Sequence, residues 1–164
     1  MCFLPTIYTS HTFYLTTHPV ELGLPLALLI FAAGALCIYI NYDCDAQRAK
    51  FRAAKGNLKI WGQDAKYITA KYETATGVHE SILLYSGWWG MARHFHYVWE
   101  ILASFFWSVP ALFYNSMPYF YVFYLCLLLA DRASRDDARC SAKYGQYWEK
   151  YKKLVPNKII PYLY

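Results

Sequence analysis

Neither Gly-x-Gly-x-x-Gly nor Gly-x-x-x-x-Gly-Lys-Ser/Thr occurs in this chain, so any nucleotide it binds is held by an architecture other than the Rossmann or P-loop folds. Cys-x-x-Cys is missing too. The five cysteines, Cys2, Cys37, Cys44, Cys126 and Cys140, are odd in number and far apart, which argues against a disulfide framework or a zinc site and leaves mostly free thiols. The first residues lack a basic start and a small-residue cleavage site, so no signal peptide is expected. Internal repeats and low-complexity linkers are absent. Charge is scarce, at 16% of residues, and residues 22–40 are nearly uncharged.

What is abundant is apolar and aromatic. The chain is 57% hydrophobic and 20% aromatic, with 17 Tyr and 6 Trp, a bias that suits a lipid-water boundary where amphipathic rings settle. The apolar residues fall in long runs rather than in the periodic stripes of a soluble core, which points to lipid as the solvent. The net charge of +5 does not indicate nucleic acid, because the basic residues flank hydrophobic spans and no nucleic-acid motif accompanies them. Met1 is followed at once by Phe3 to Tyr8 and Tyr14 to Pro19, which read like the middle of a membrane protein, so the chain is expected to be a fragment.

Residues 1–21 form a membrane-proximal segment, and residues 22–40 match the ~20 apolar residues that ~30 Å of hydrocarbon requires. Arg48, Lys50, Arg52 and Lys55 follow this span and no Lys or Arg precedes it, which places the following residues in the cytosol. Residues 41–97 are therefore a cytosolic excursion. Within it Ile68, Ala70 and Tyr72 alternate with Tyr67, Thr69, Lys71 and Glu73, and Thr74-Ala75-Thr76-Gly77 follows, the pattern of a small hairpin. Residues 98–130 hold two short apolar stretches, about 101–114 and 119–130, read as a helical hairpin in the membrane with Pro110 kinking its first helix. The last segment, 131–164, should continue as a cytosolic helix to about Lys153, with Gly145 as a weak point. The fold class is an all-α integral membrane protein with a small cytosolic β-hairpin.

Three groups could carry chemistry. Arg48 and Arg52, four apart, share a helix face and could grip a diphosphate or ribose phosphate; the plainer role is retention of membrane orientation. Arg132, Arg135, Asp136, Arg139, Cys140, Lys143, Tyr144, Tyr147, Trp148 and Tyr151 recur at three and four residues and form one stripe, either a solvated face with ion pairs such as Arg132 to Asp136 or a lined groove. In the groove reading Asp136 accepts from a ribose or amide, and Tyr144 and Tyr151 supply stacking surface or hydroxyls. The third group is the polar and aromatic run 86–97. There Trp88 and Trp89 would anchor at the interface, while His94 and His96, two apart with no third ligand nearby, suit hydrogen bonding better than metal.

The run SGWWGMARHFHY and the later PYFYVFYLCLLLADRASRDDARCSAKYGQYWEKYKKLVPNKIIPYLY resemble the C-terminal signature of the sterol reductase family, and LPTIYT, TTHPVEL and KFRAAKGNLKIWG are similar to its upstream segments. The resemblance runs from about Leu4 to Tyr164. Its closest branch is the plant-type Δ7-sterol (7-dehydrocholesterol) reductases, through HFHY, Glu100 and the FFWSVPALF run at 105–113. The Δ14 branch instead places an Asn where His96 stands and a Gly-Asp pair in place of Trp99-Glu100. The resemblance implies a multi-pass protein of the endoplasmic reticulum membrane and NADPH as cofactor. It implies cofactor contacts at Arg48, Arg52, Leu84, Trp89, His96, Tyr97, Asp136, Cys140, Ser141, Ala142, Lys143, Tyr144 and Tyr151. Arg48 stands where Lys is common, which keeps the charge and changes its geometry.

The reaction so implied is reduction of the Δ7 double bond of 5,7-diene sterols. No carbonyl withdraws charge from such a bond, so an acid must protonate the diene before or as hydride arrives, with Tyr144 and Asp136 as the candidate acid and relay. The implied partners are the sterol substrate, membrane lipid and other sterol-biosynthesis enzymes. Three other readings remain: a Δ14-sterol reductase; an isoprenylcysteine-type membrane methyltransferase, whose usual Pro is Phe95 here; and a non-catalytic sterol-binding module.

Overall fold

The computed structural model describes residues 9–74 and 77–161. The chain is mostly helical and divides into two compact units, Met1–Ile40 with Trp99–Ala130, and Asn41–Val98 with Asp131–Tyr164. The elements are α1 (Ser10–Thr17), α2 (Leu24–Ala53), β1 (Lys59–Ile60), β2 (Gln63–Asp64), β3 (Tyr67–Thr74), β4 (Gly77–Leu84), α3 (Trp88–Met91), α4 (Phe95–Ser108), α5 (Phe120–Tyr144) and α6 (Gln146–Leu154). Two 3-10 turns, Val109–Ala111 and Met117–Tyr119, lie between α4 and α5.

Among the described residues, α2 is the one helix long and apolar enough to cross a membrane. Its 30 residues extend about 45 Å at 1.5 Å per residue, well beyond ~30 Å of hydrocarbon. The expected span at 22–40 is therefore only the first part of a longer rod. No Gly or Pro interrupts residues 41–53, so the helix carries Arg48 and Arg52 in its last turns. It ends where Lys55 and Gly56 take positive φ values of 50° and 93°. Leu24, Phe31 and Ile38 are exposed, an apolar surface that water would not support.

In the first unit, α1 packs on both 3-10 turns, and the His11 and Trp107 rings meet edge-on at 5.4 Å. Pro110 does more than kink its helix. α4 stops at Ser108 and the chain turns through Val109–Ala111, because Pro supplies no N–H for a continuing helix. The Tyr119 hydroxyl then donates to the Leu112 carbonyl at 3.0 Å, closing the connection.

The second unit is organised by β4. It pairs antiparallel with β3 from Tyr67↔Leu84 to Thr74↔Gly77; the expected turn at Ala75-Thr76 lies outside the described residues. Ala70 is buried and Ile68 and Tyr72 are half-buried, while Tyr67, Thr69, Lys71 and Glu73 are exposed, as a period of two dictates. Ile82 and Leu84 join one apolar cluster with Phe51, Ile60 and Trp89. Leu83 and Tyr85 join another with Trp148, Tyr151 and Val155. A second, smaller hairpin pairs β1 with β2. Its two-residue turn, Trp61-Gly62, has φ values of 50° and 81°, the left-handed pair that tight hairpins require.

The expected continuous helix to Lys153 is corrected at Gly145. This residue has φ 50° and ψ −122°, a conformation open to glycine and costly for any side chain. The stripe therefore turns a corner, and α6 leaves α5 so that Trp148 and Tyr151 pack beside β4. The ion pairs also differ from the simplest expectation. Asp136 pairs with Arg139 at 3.7 Å and Asp131 with Arg135 at 2.8 Å.

Candidate functional site

A cleft opens within the second unit. α2 brings Arg48, Phe51 and Arg52 to it, β4 brings Ile82 to Leu84, and α5 brings Asp136, Cys140 and Tyr144 at successive intervals of four. Trp89, Arg93 and His94 come from the segment around α3, and Trp148 and Tyr151 from α6. It encloses about 80 Å³. Pockets that bury a whole drug-sized ligand hold roughly 300–1,000 Å³, so this cavity takes one small part of a ligand while the remainder lies along the open side.

The wall at Ser86 to Gly90 is fastened to α2. The Trp88 backbone N–H donates to Gln47 Oε1 at 3.1 Å, Trp88 Nε1 to Asp43 Oδ2 at 2.8 Å, and Trp89 Nε1 to the Cys44 carbonyl at 2.9 Å. Trp89 is 5% exposed. Both indoles therefore clasp a helix. Gly87 permits the clasp: its φ is 65°, and a Cβ there would collide with the Gln47 side chain and Ile60.

Arg48 is the focus of the electrostatics. Its guanidinium carbon lies 4.4 Å above the Trp89 ring, and among the described residues it makes no ion pair. Burial, and then Arg52, push its pKa down, with Tyr151, Asp45 and Asp136 opposing. A half-buried cation with such surroundings is chemically suited to an anion. Tyr151 and Cys140 beside it are neutral. Burial drives the Tyr151 phenol up to about 12, so its hydroxyl stays protonated and donates to the Leu84 carbonyl at 2.9 Å. Burial and then Asp136 raise the Cys140 thiol, keeping it from thiolate chemistry.

His94 and His96 are both held to about 4, by burial first, then by each other's charge for His94 and by Arg48 for His96. Between about pH 4 and 6.5 the unfolded chain therefore binds more protons than the folded one, so stability rises with pH across that window. Acidification from 6.5 towards 4 should lower the thermal stability of the purified protein steeply. A flatter profile is expected for His96→Asn, and an unchanged one would show that His96 titrates normally.

Of the residues named from the sequence, Arg48, Arg52, Leu84, Trp89, Asp136, Cys140, Tyr144 and Tyr151 border the cleft. His96 and Tyr97 do not border it but support it. The His96 ring is 5.1 Å from Trp89 and 4.4 Å from Tyr97, and His96 Nδ1 is buried with no hydrogen-bond partner among the described residues. Ser141 and Ala142 lie on the same helix away from the lining, Ala142 exposed. Lys143 is also outside the lining, with its ammonium 4.1 Å above the Tyr72 ring. Tyr144 meets Tyr72 edge-on at 5.5 Å, and its hydroxyl reaches Ser81 Oγ at 3.4 Å. Arg93, Phe51, Ile82, Leu83 and Asp137 carried no such signal. Only the fold unites them.

The whole chain, residues 1–164, matches the ergosterol biosynthesis ERG4/ERG24 family. The chain belongs to that family. It is 56% identical over 165 residues to the 7-dehydrocholesterol reductase of Arabidopsis thaliana, covering 100% of this chain and 38% of that protein. It is 39% identical over 162 residues to the 7-dehydrocholesterol reductase of Xenopus laevis, covering 98% and 34%. It is 40% identical over 164 residues to the Delta(14)-sterol reductase erg24 of Schizosaccharomyces pombe, covering 100% and 37%. The chain thus spans between a third and two fifths of the length of these relatives. In this ERG4/ERG24 member the cleft is built wholly from residues 48–151, inside the matched region.

Proposed function

We propose that this chain is the cofactor-binding part of a reductase that uses NADPH to saturate the Δ7 double bond of 5,7-diene sterols. The observation that carries the reading is Arg48: a half-buried guanidinium on Trp89, without an ion-pair partner among the described residues and with Arg52 one turn away. That arrangement suits a phosphate-bearing cofactor. The sterol substrate is inferred from the relatives' names, and Δ7 is favoured over Δ14 by 56% identity to a 7-dehydrocholesterol reductase against 40% to a Δ14-reductase.

In this reading Arg48 and Arg52 hold phosphate, while Trp89, Ile82 and Leu84 shield that contact from water and so strengthen it. Bound NADPH supplies the hydride. Asp136 and Tyr144, bordering the cleft on one face of α5, orient the cofactor or deliver the proton to the diene. Residues 41–97 and 131–164 face the cytosol, and residues 22–40 and 98–130 lie in a multi-pass arrangement in the endoplasmic reticulum membrane. Other sterol-biosynthesis enzymes would supply its substrate.

The test is expression of the full-length protein in yeast that accumulates 5,7-diene sterols. Loss of the conjugated-diene absorbance, with the Δ5 product found by mass spectrometry, supports the reading; Δ14 reduction alone would replace it. In that system Asp136→Asn and Tyr144→Phe should each lower turnover about 100- to 10,000-fold if the pair moves the proton, the typical size of a general-acid contribution. Unchanged turnover and unchanged NADPH affinity would remove both from the mechanism.

A further inference from the structure

Arg93 borders the cleft yet is 8% exposed, and its charge is already engaged. Its Nη1 donates to the Val155 carbonyl at 2.8 Å and the Pro156 carbonyl at 3.0 Å. Its Nε lies 3.7 Å from Asp137 Oδ1, and that same oxygen accepts from Trp148 Nε1 at 3.0 Å. The backbone on either side joins in: the Arg93 and His94 N–H groups donate to the Asn157 and Lys158 carbonyls at 3.1 and 2.8 Å. Asn157 Nδ2 returns a bond to the Met91 carbonyl at 3.1 Å. One guanidinium thus ties together the segment before α4, α5 through Asp137, α6 through Trp148, and the strap that follows α6.

We infer that Arg93 is a positioning residue. It holds no part of the cofactor but fixes α6, and with it the Trp148 and Tyr151 wall, against the cleft. α6 needs such a tie because Gly145 breaks its continuity with α5. Trp148 stacks on Tyr151 at 5.1 Å, so releasing Trp148 releases the phenol that caps Leu84. A guanidinium suits the role because its Nη1 donates to two adjacent carbonyls while its Nε stays within ion-pair range of a carboxylate, which an ammonium on a flexible stem does not reproduce.

The inference rests on reading the cleft as the NADPH site, and the experiment separates the two. The full-length protein and its Arg93→Lys, Asp137→Asn and double variants are compared in NADPH and NADH affinity, kcat and sterol KM. Arg93→Lys should weaken NADPH and NADH equally, by about tenfold for the loss of a charge-assisted hydrogen bond, with sterol KM unchanged and kcat within about twofold. The double variant should be no worse than the more affected single one, since both break the same tie. A loss confined to NADPH would mean that Arg93 touches the additional phosphate, and additive losses or none would also overturn the inference. If Arg93→Lys does not fold, Asp137→Asn carries the same comparison. If the parent protein uses neither nucleotide, the functional reading fails. The clamp is then judged by thermal unfolding of the same set, where non-additivity supports it and additivity refutes it.

Discussion

Replacing Arg48 by Gln in the full-length protein should raise KM for NADPH about a hundredfold, the loss expected when a bidentate charge-assisted contact worth roughly 3 kcal/mol is removed. Arg48→Lys should fall between, at about tenfold, because the point charge survives while the fork and the stacking on Trp89 do not. The same Gln variant should keep its thermal stability within about 1 kcal/mol. It loses a cation–π contact worth about that much, but it also relieves a half-buried cation that burial and Arg52 already disfavour. Weak binding in a stable protein marks a ligand site; equal loss of both would make Arg48 a structural residue. Initial-rate kinetics with NADPH varied, alongside thermal unfolding, decides between them.

Trp89→Ala should lower stability and affinity together. The indole is buried among Phe51, Ile60 and Leu84, and truncating a core Trp costs about 3–5 kcal/mol. Its Nε1–H bond to the Cys44 carbonyl goes with it, as does the platform under Arg48. The purified variant should unfold at clearly lower temperature and lose NADPH affinity together. Trp89→Phe keeps most of the ring and loses the bond, so about 1 kcal/mol is expected. If Trp89→Ala unfolds like the parent, the clasp between residues 86–90 and α2 is not what holds this wall.

Local rules explain the parts of the fold that could be read in advance. The uncharged run at 22–40, the alternation through Ile68, Ala70 and Tyr72, and the four-residue spacing of Arg48 and Arg52 are periodic signals confined to one element. The break at Gly145 is different, since a lone glycine costs a helix only about 1 kcal/mol. What turns the chain there is the docking of Trp148 on Asp137 and of Tyr151 on Leu84. The two-residue strands around Trp61-Gly62 are too short to show a period. Arg93 carries no local signal because its partners, Val155 and Pro156, are over sixty residues away. The need for glycine at 87 is likewise tertiary, since it comes from Gln47 and Ile60 packed against it. Half of the cleft was visible as helix faces; the wall from Trp89 to His94 needed tertiary contacts.

The most direct test of the cofactor site is arginine modification by phenylglyoxal in the full-length membrane protein, mapped by mass spectrometry with and without saturating NADPH. The site described here predicts that NADPH protects Arg48 and Arg52 while Arg135 and Arg139, exposed on α5, react as before. Undiminished modification of Arg48 and Arg52 at saturating NADPH would contradict it.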